Sequence, residues 1–589
     1  MTVHQEEAVD LPALRARYRA ERDRRLRPDG NDQYTPLAAE RGAGDPWVTD
    51  EDRRAPVCDA VDALVVGGGF GGLVAAARLR DAGLGRIRIV DAAGDLGGTW
   101  YWNRYPGVAC DVESYIYLPL LEEVGVMPTR KYAPGEEIRR HAQAIGHRFD
   151  LYRDALFRTE VTALHWDDEA ARWTVRTDRG DVVSARYVVV SSGPFNRPKL
   201  PGIPGLADFR GHTFHTSRWD YGHTGGGPDG GLDRLADRRV AIIGTGATAI
   251  QAVPHLAEGA RHLYVVQRTP SSVDERGDRP TDPAWWDALE PGWQRTRREN
   301  FLALVDGRPA DVDLVDDRWT DTAPVRGTRR RAAGREDPAL ATELADAEKM
   351  AEIRARVDEV VADRAVAEAL KPWYRQMCKR PTFSDRYLQT FNRPDVTLLD
   401  THGAGVERVS ADGIVVDGVE YPVDTIVLAT GFELGADPAT RAGADIRGRG
   451  GLPLAEYWAD GLRTFHGWVS RGFPNLFHLG STQNAASPNF AHVLEVQAEH
   501  VAGVVAEAEA RGDVLVEPTT GAEDRWVATI RERAVDLQAF QAECTPGYYN
   551  FEGRPRRRSE QFGGGPVEFH AVLADWRAHG DRDEVFTPR

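Results

Sequence analysis

Cysteine is scarce in this chain: four residues in 589, Cys58, Cys110, Cys378 and Cys544, widely scattered and without a CxxC pair. The spacing predicts no disulfide framework, no zinc cluster and no dithiol redox centre, and a chain this long builds its core without such staples. Long apolar runs are missing too. The longest, Ala63 to Ala77, is broken by five glycines and stops at Arg78, short of the roughly 20 residues that span a bilayer. Positive charge is not in excess: 74 basic against 91 acidic side chains leave −17, which argues against nucleic acid as a partner. Residues 1–50 are densely charged and hold no apolar core of signal-peptide length. These absences predict a cytoplasmic globular protein that engages neither membrane nor nucleic acid.

Glycine, by contrast, is concentrated where strands give way to helices. Ala63-Leu64-Val65-Val66 runs into Gly67-Gly68-Gly69-Phe70-Gly71-Gly72, matching GxGxxG at Gly67, Gly69 and Gly72, and an Ala-rich helix follows over Leu73 to Leu79. Glycine makes the tight turn, admits a pyrophosphate against the backbone and lets strand and helix pack closely. The helix start offers free N–H groups and the positive end of its dipole. Phe70 is a candidate contact within the loop. Asp91, 22 residues past Gly69 at the end of Ile87-Arg88-Ile89-Val90, is placed to hold ribose hydroxyls.

A second unit follows the same plan. Val240-Ala241-Ile242-Ile243 leads into Gly244-Thr245-Gly246-Ala247-Thr248-Ala249, a GxGxxA variant, with Gln251 a further candidate contact on its helix. After Val265-Val266-Gln267 no acid appears; Arg268 and Thr269 stand there instead. An arginine grips a 2′-phosphate that a carboxylate would repel, so the second dinucleotide is expected to be NADP(H). Two sites in one chain predict a flavin (FAD) beside the nicotinamide. Val190-Ser191-Ser192-Gly193 and Leu428-Ala429-Thr430-Gly431 are strand-to-turn segments suited to crossings near a cofactor. Without ligands, the glycine loops would be bare turns and Arg268 a surface ion-pair residue.

The rest of the chain arranges itself around these units. Residues 1–55 read as an extension with a surface helix over Leu11 to Arg27, and His223 to Gly231, with five glycines, as a mobile loop. Asp337 to Leu370 carries apolar residues at helical spacing, and Arg329-Arg330-Arg331 before it reads as a solvated face. The expected layout is an FAD-binding domain over 56–197, an NADP-binding domain over 198–385 with a helical insertion at about 275–372, and the second part of the FAD domain over 386–589. The fold class is α/β, with two Rossmann-like dinucleotide-binding domains.

One stretch separates branches within such flavoproteins. Phe209, Gly211, His215, Trp219 and Asp220 fit FxGxxxHxxxW[P/D], and on this pattern the chain resembles the type I Baeyer–Villiger monooxygenases. His215 alone would be an ordinary buried histidine; the reading given to it is a link between domains, not proton transfer. The resemblance extends through Gly97-Gly98-Thr99-Trp100, Arg104-Tyr105-Pro106-Gly107 and Asp111-Val112-Glu113-Ser114, the family's flavin-site segment, and Cys378-Lys379-Arg380-Pro381. It implies Gly98, Thr99, Trp100, Tyr105 and Asp111 at the flavin, Arg380 as catalytic arginine oriented by Asp111, and Lys379 beside Arg268 and Thr269 at the NADP phosphate. Tyr548 stands where many members have a Trp near the nicotinamide. A narrower likeness, in the Arg15 to Arg22 extension, Met377 to Phe383 and Cys544 to Asn550, is to the branch of pentalenolactone D and neopentalenolactone D synthases, with cyclopentadecanone monooxygenase in the same neighbourhood.

What the resemblance implies is NADPH-driven insertion of one oxygen atom from O2 beside a ketone carbonyl, giving an ester or lactone. Arg380, always charged, would stabilise the anionic oxidant and the tetrahedral adduct. The implied substrate is a polycyclic sesquiterpenoid ketone of an antibiotic pathway, with or without a carboxylate, handled by a monomer or weak homo-oligomer. Three rivals stand beside this reading: a flavin N- or S-oxidising monooxygenase, a Baeyer–Villiger enzyme for macrocyclic or other bulky ketones, and a non-catalytic NADP(H)-binding sensor.

Overall fold

A computed structural model describes residues 9–37, 44–48, 54–332, 334, 337–433, 441–512, 514–555 and 561–589. Two sheets organise them. The first runs Asp445–Arg447, Val161–Asp167, Arg172–Thr177, Val182–Val190, Cys58–Val66, Ile87–Val90, with Leu476–His478 also paired to Val182–Val190. The second is wholly parallel: Val396–Asp400, His262–Gln267, Arg239–Ile243, Thr425–Leu428, His212–His215. Its inner strands Arg239–Ile243 and Thr425–Leu428 are nearly continuous apolar runs, as burial of both faces of a parallel sheet requires. The helix Phe70–Asp81 is Ala-rich because it is wedged between the first sheet and the long helix Phe490–Arg511; its residues Phe70 to Ala77 are all buried.

The topology corrects the expected boundary at residue 385. Val396–Asp400 and Thr425–Leu428 complete the second sheet, flanking Arg239–Ile243 and His262–Gln267, so the chain returns to the first sheet only afterwards, at Asp445–Arg447. Strands buried on both faces show the same apolar run in either sheet, so sequence pattern could not assign them.

The insertion is helical: Pro283–Asp287, Trp293–Val305, Ala323–Ala332, Pro338–Val360 and Arg364–Leu370. Arg330 pairs with Glu348 at 2.7 Å and Arg331 reaches the Thr342 hydroxyl at 2.7 Å, so two of the three arginines cross to the neighbouring helix. The His223 to Gly231 segment, expected to be a mobile loop, is a tight turn: Gly227 and Gly230 exchange two backbone hydrogen bonds of 2.9 Å, and Gly107 N–H donates to Pro228 at 2.9 Å.

The N-terminal extension, where described, is not a loose appendage. Residues 1–8, 38–43 and 49–53 of it lie outside the described residues. Asp10 caps the helix Leu11–Arg25 by accepting from Ala13 N–H at 3.0 Å, and proline occupies its first turn. Arg15 pairs with Glu343 of the insertion, and the buried Glu21–Arg25 pair (2.5 Å) turns inward. Tyr34–Pro36 then adds an antiparallel strand to Lys199–Pro201.

A second correction concerns the cysteines. Cys378 and Cys544 form a disulfide across 166 residues, where their scatter had predicted none. Pairing over such a span leaves no local spacing signal.

Candidate active site

A cavity of about 1710 Å³ lies between the two sheets and is closed by the insertion, the C-terminal segment and residues from the N-terminal extension. Both glycine loops open into it. Gly67 (φ +105°) passes so close to Ser191 that a Cβ would stand 2.4 Å from the Ser191 carbonyl oxygen, and one on Gly72 would stand 1.8 Å from that of Gly67. Gly244 (φ +114°) meets Ala429 in the same way, at 2.6 Å. These are the strand crossings Val190 to Gly193 and Leu428 to Gly431, each lying against a glycine turn. Gly67, Gly69, Phe70, Asp91, Gly98, Thr99, Trp100, Tyr105, Gly244, Thr245, Gly246, Thr248, Gln251, Arg268 and Thr269 all line the cavity; Gly72 and Ala249 pack beneath it. Asp91 accepts from Gly68 N–H at 2.5 Å and Ala93 N–H at 2.7 Å, and burial raises its pKa. The hydroxyl oxygens of Ser192 and Thr269 are shut from solvent without a hydrogen-bond partner, an arrangement that fits bound dinucleotides.

The reactive corner is built by convergence of four distant segments. Arg380 donates from both terminal nitrogens to the two Asp111 carboxylate oxygens, each at 2.7 Å. Burial opposes the charge on Arg380, but the Asp111 carboxylate outweighs it and raises its pKa. A bidentate pair of this kind fixes the guanidinium plane as well as its place. Trp319, from the insertion, donates its indole N–H to the Asp111 carbonyl at 2.9 Å and lays its ring 5.7 Å from the Arg380 guanidinium. Asp317 holds the Trp319 turn by accepting from its N–H at 2.8 Å; burial, with Glu113 nearby, pushes the Asp317 carboxyl up to about 7. Tyr548 and Tyr549 stack edge-on at 4.6 Å over the same space. The disulfide ties the Arg380 segment to theirs.

At the second loop the sequence-derived set is reunited: Arg268, Thr269 and Lys379 share one wall. Thr245 Oγ1 donates to the Thr269 carbonyl at 2.8 Å. Burial, and next the Arg268 charge, depress the Lys379 amine to about 7. Tyr105 donates to Gln251 Oε1 at 2.7 Å while Gln251 donates to the Ala109 carbonyl at 2.9 Å, stitching the two units at the cavity floor.

The five signature residues lie outside the cavity lining. His215 is 2% exposed, its Nδ1 sits 2.8 Å from Ser217 Oγ, and burial drives its pKa to about 3, so it is a neutral group. Trp219 is fully buried and donates to Thr224 Oγ1 at 3.1 Å; Asp220 accepts from His223 N–H at 3.0 Å. A Cβ on Gly211 would meet the Phe209 ring at 2.4 Å. Sequence reasoning missed Trp319, Gln33, Tyr34, Lys199 and Glu552. None belongs to a motif; the signal that could have flagged Glu552 is the lone acid closing the aromatic run Tyr548-Tyr549-Asn550-Phe551.

Residues 61–290 match the family described as pyridine nucleotide-disulphide oxidoreductase. The chain is 54% identical to a Baeyer–Villiger monooxygenase of Streptomyces coelicolor, over 98% of this chain and 97% of that one. It is likewise 54% identical to pentalenolactone D synthase of Streptomyces arenae, over 97% and 99%. Its fold superposes on the polycyclic ketone monooxygenase of Thermothelomyces thermophila with a TM-score of 0.90 at 41% identity, covering 98% and 99%. The N- or S-oxidising and sensor readings give way to these relationships. With its bidentate arginine–aspartate pair between two dinucleotide cradles, the chain belongs to the Baeyer–Villiger monooxygenases and uses FAD and NADP(H).

Proposed function

We propose that Arg380 and Asp111 form the catalytic pair, that Arg268, Thr269 and Lys379 hold the 2′-phosphate of NADP(H), and that the substrate is a rigid polycyclic terpenoid ketone converted to a lactone. The observation that carries the first assignment is the pair of 2.7 Å contacts holding a permanently charged guanidinium at the cavity wall. Bound FAD, reduced by NADPH, supplies the activated oxygen. Asp111 fixes the Arg380 plane; Arg380 stabilises negative charge as oxygen adds to the ketone carbonyl. Trp319, Tyr548 and Tyr549 give that corner aromatic walls that exclude water. The first loop, with Gly98 to Trp100 and Asp91, would hold FAD.

Support for the terpenoid ketone comes from the relatives named pentalenolactone D synthase and polycyclic ketone monooxygenase. Among the described residues no helix is long and apolar enough to cross a membrane. The test is NADPH oxidation with product masses for a fused tricyclic ketone, its carboxylated form, a macrocyclic ketone and cyclohexanone. The tricyclic ketones should give the highest kcat/KM and a product heavier by one oxygen; a higher value for cyclohexanone rejects the substrate assignment, and for the macrocycle favours the bulky-ketone alternative.

A further inference from the structure

Arg268 does not meet the cavity with its charge free. Its Nη2 donates to Glu552 Oε2 at 2.8 Å, while Nη1 donates to Gln33 Oε1 at 2.7 Å and to the Tyr34 hydroxyl at 3.3 Å. Tyr34 in turn reaches Glu552 Oε1 at 3.4 Å. The Glu552 side chain is 4% exposed against 24% for Arg268, and both line the cavity. Lys379 lines the same wall, and Lys199 stands 3.7 Å from the centre of the Tyr34 ring. The Glu552 carboxylate thus faces Arg268 and acts on Lys379 and Lys199 where a phosphate is expected.

We infer that Glu552 is the resident counter-ion of the coenzyme phosphate subsite and must give up Arg268 when a 2′-phosphate arrives, which makes it a determinant of coenzyme affinity and of the choice between NADPH and NADH. The inference rests on the placement of the 2′-phosphate at Arg268 proposed above. A dianionic phosphate and a carboxylate within one guanidinium's reach repel each other in a poorly solvated wall. The competition is for donors: a 2′-phosphate that takes the Arg268 Nη2 group takes the one that Glu552 holds at 2.8 Å. NADH brings a hydroxyl, which can donate to the carboxylate and leaves the Arg268–Glu552 pair in place. The wild-type enzyme therefore discriminates between coenzymes less than Arg268 and Lys379 alone would.

Backbone geometry supports displacement rather than sharing. Phe551 and Glu552 both occupy the left-handed region, with φ of +51° and +57°. Consecutive non-glycine residues persist there only when neighbouring contacts hold them. The contacts here are Glu552 N–H to the Gly547 carbonyl at 2.8 Å, Gly553 N–H to Asn550 Oδ1 at 3.1 Å, and the carboxylate's grip on Arg268. Loss of the last leaves a strained turn with less to hold it.

The experiment is calorimetric titration of the FAD-loaded enzyme with 2′,5′-ADP and with 5′-ADP, which differ only in the 2′-phosphate. Glu552→Gln should bind 2′,5′-ADP roughly tenfold more tightly than wild type, with 5′-ADP within about twofold. Unchanged or weaker 2′,5′-ADP binding by that variant overturns the inference, because it makes Glu552 a scaffold for Arg268 and no competitor. In the wild-type protein, the Glu552 and Gly553 amides should exchange hydrogen faster with 2′,5′-ADP bound than with 5′-ADP; equal or slower exchange also overturns it. If wild type and variant both bind the two nucleotides equally, the placement of the 2′-phosphate falls, and the inference with it.

Discussion

The indole N–H of Trp319 donates to the main-chain carbonyl of Asp111 at 2.9 Å, across 208 residues of sequence. Asp111 is thereby held from behind by the insertion while its carboxylate holds Arg380 in front. Trp319→Phe keeps the ring beside the guanidinium and removes the hydrogen bond, a loss of about 1 kcal/mol. The expected result is a kcat several-fold lower with little change in KM, and a larger share of NADPH spent on hydrogen peroxide. A variant with wild-type kcat and coupling would show that the contact is packing only.

Arg380→Ala should still bind FAD and accept electrons from NADPH, seen as bleaching of the flavin band, yet form lactone about 10²–10³-fold more slowly. Asp111→Asn should fall between this variant and wild type, since it leaves the charge but loosens its plane. Lactone formation at the normal rate by Arg380→Ala would refute its assignment.

Lys379 gives the coenzyme site a pH dependence. Its pKa near 7, depressed by burial and by Arg268, means that the amine is charged below pH 7 and loses its proton as pH rises through that value. NADP+ affinity should therefore be level only between about pH 6 and 7 and weaken above pH 7 by up to about tenfold per pH unit. The 2′-phosphate itself titrates near 6, below this window. Lys379→Met should bind NADP+ weakly and show no such slope between pH 7 and 9; Arg268→Ala should raise the KM for NADPH and leave that for NADH nearly unchanged.

The two thiols outside the disulfide differ in kind. Cys58 is exposed, whereas burial, reinforced by Asp111, pushes the Cys110 thiol up to about 12. A thiol reagent should label Cys58 quickly and Cys110 only on unfolding. Reduction of Cys378–Cys544, or Cys544→Ser, releases a cross-link over 166 residues and should destabilise the enzyme by about 2–5 kcal/mol, measurable as a fall in Tm.

Glycine turns, strand ends and the basic residue after Gln267 are local features, so the two cradles and Arg268 could be read directly from sequence. Arg380, Asp111 and Lys379 needed the family's pattern as well, because an isolated CKRP or DVES carries no geometry. What stayed hidden was long-range. The placement of Thr425–Leu428 depends on which sheet has an open edge. The partnering of Cys378 with Cys544 depends on two loops meeting, and Trp319 and Glu552 matter through neighbours far along the chain, Asp111 and Arg268 among them. The signature stretch was informative for the opposite reason. Trp219 and His215 are buried pegs that stay out of the cavity lining, so they mark the family without touching its chemistry.

The antiparallel pairing of Tyr34–Pro36 with Lys199–Pro201 also bears on how such enzymes can be recombined. It delivers Gln33 and Tyr34 to Arg268, while Trp319, Tyr548 and Tyr549 arrive from elsewhere in the chain. If Arg268 holds the 2′-phosphate as proposed, a chimera that exchanges the N-terminal extension between relatives should move the ratio of kcat/KM for NADPH and NADH toward that of the donor. The same strand sets the cost of trimming. A clone started at residue 56, a natural choice for a compact expression product, would lose Gln33 and Tyr34 from the Arg268 guanidinium and Arg25 from its carbonyl.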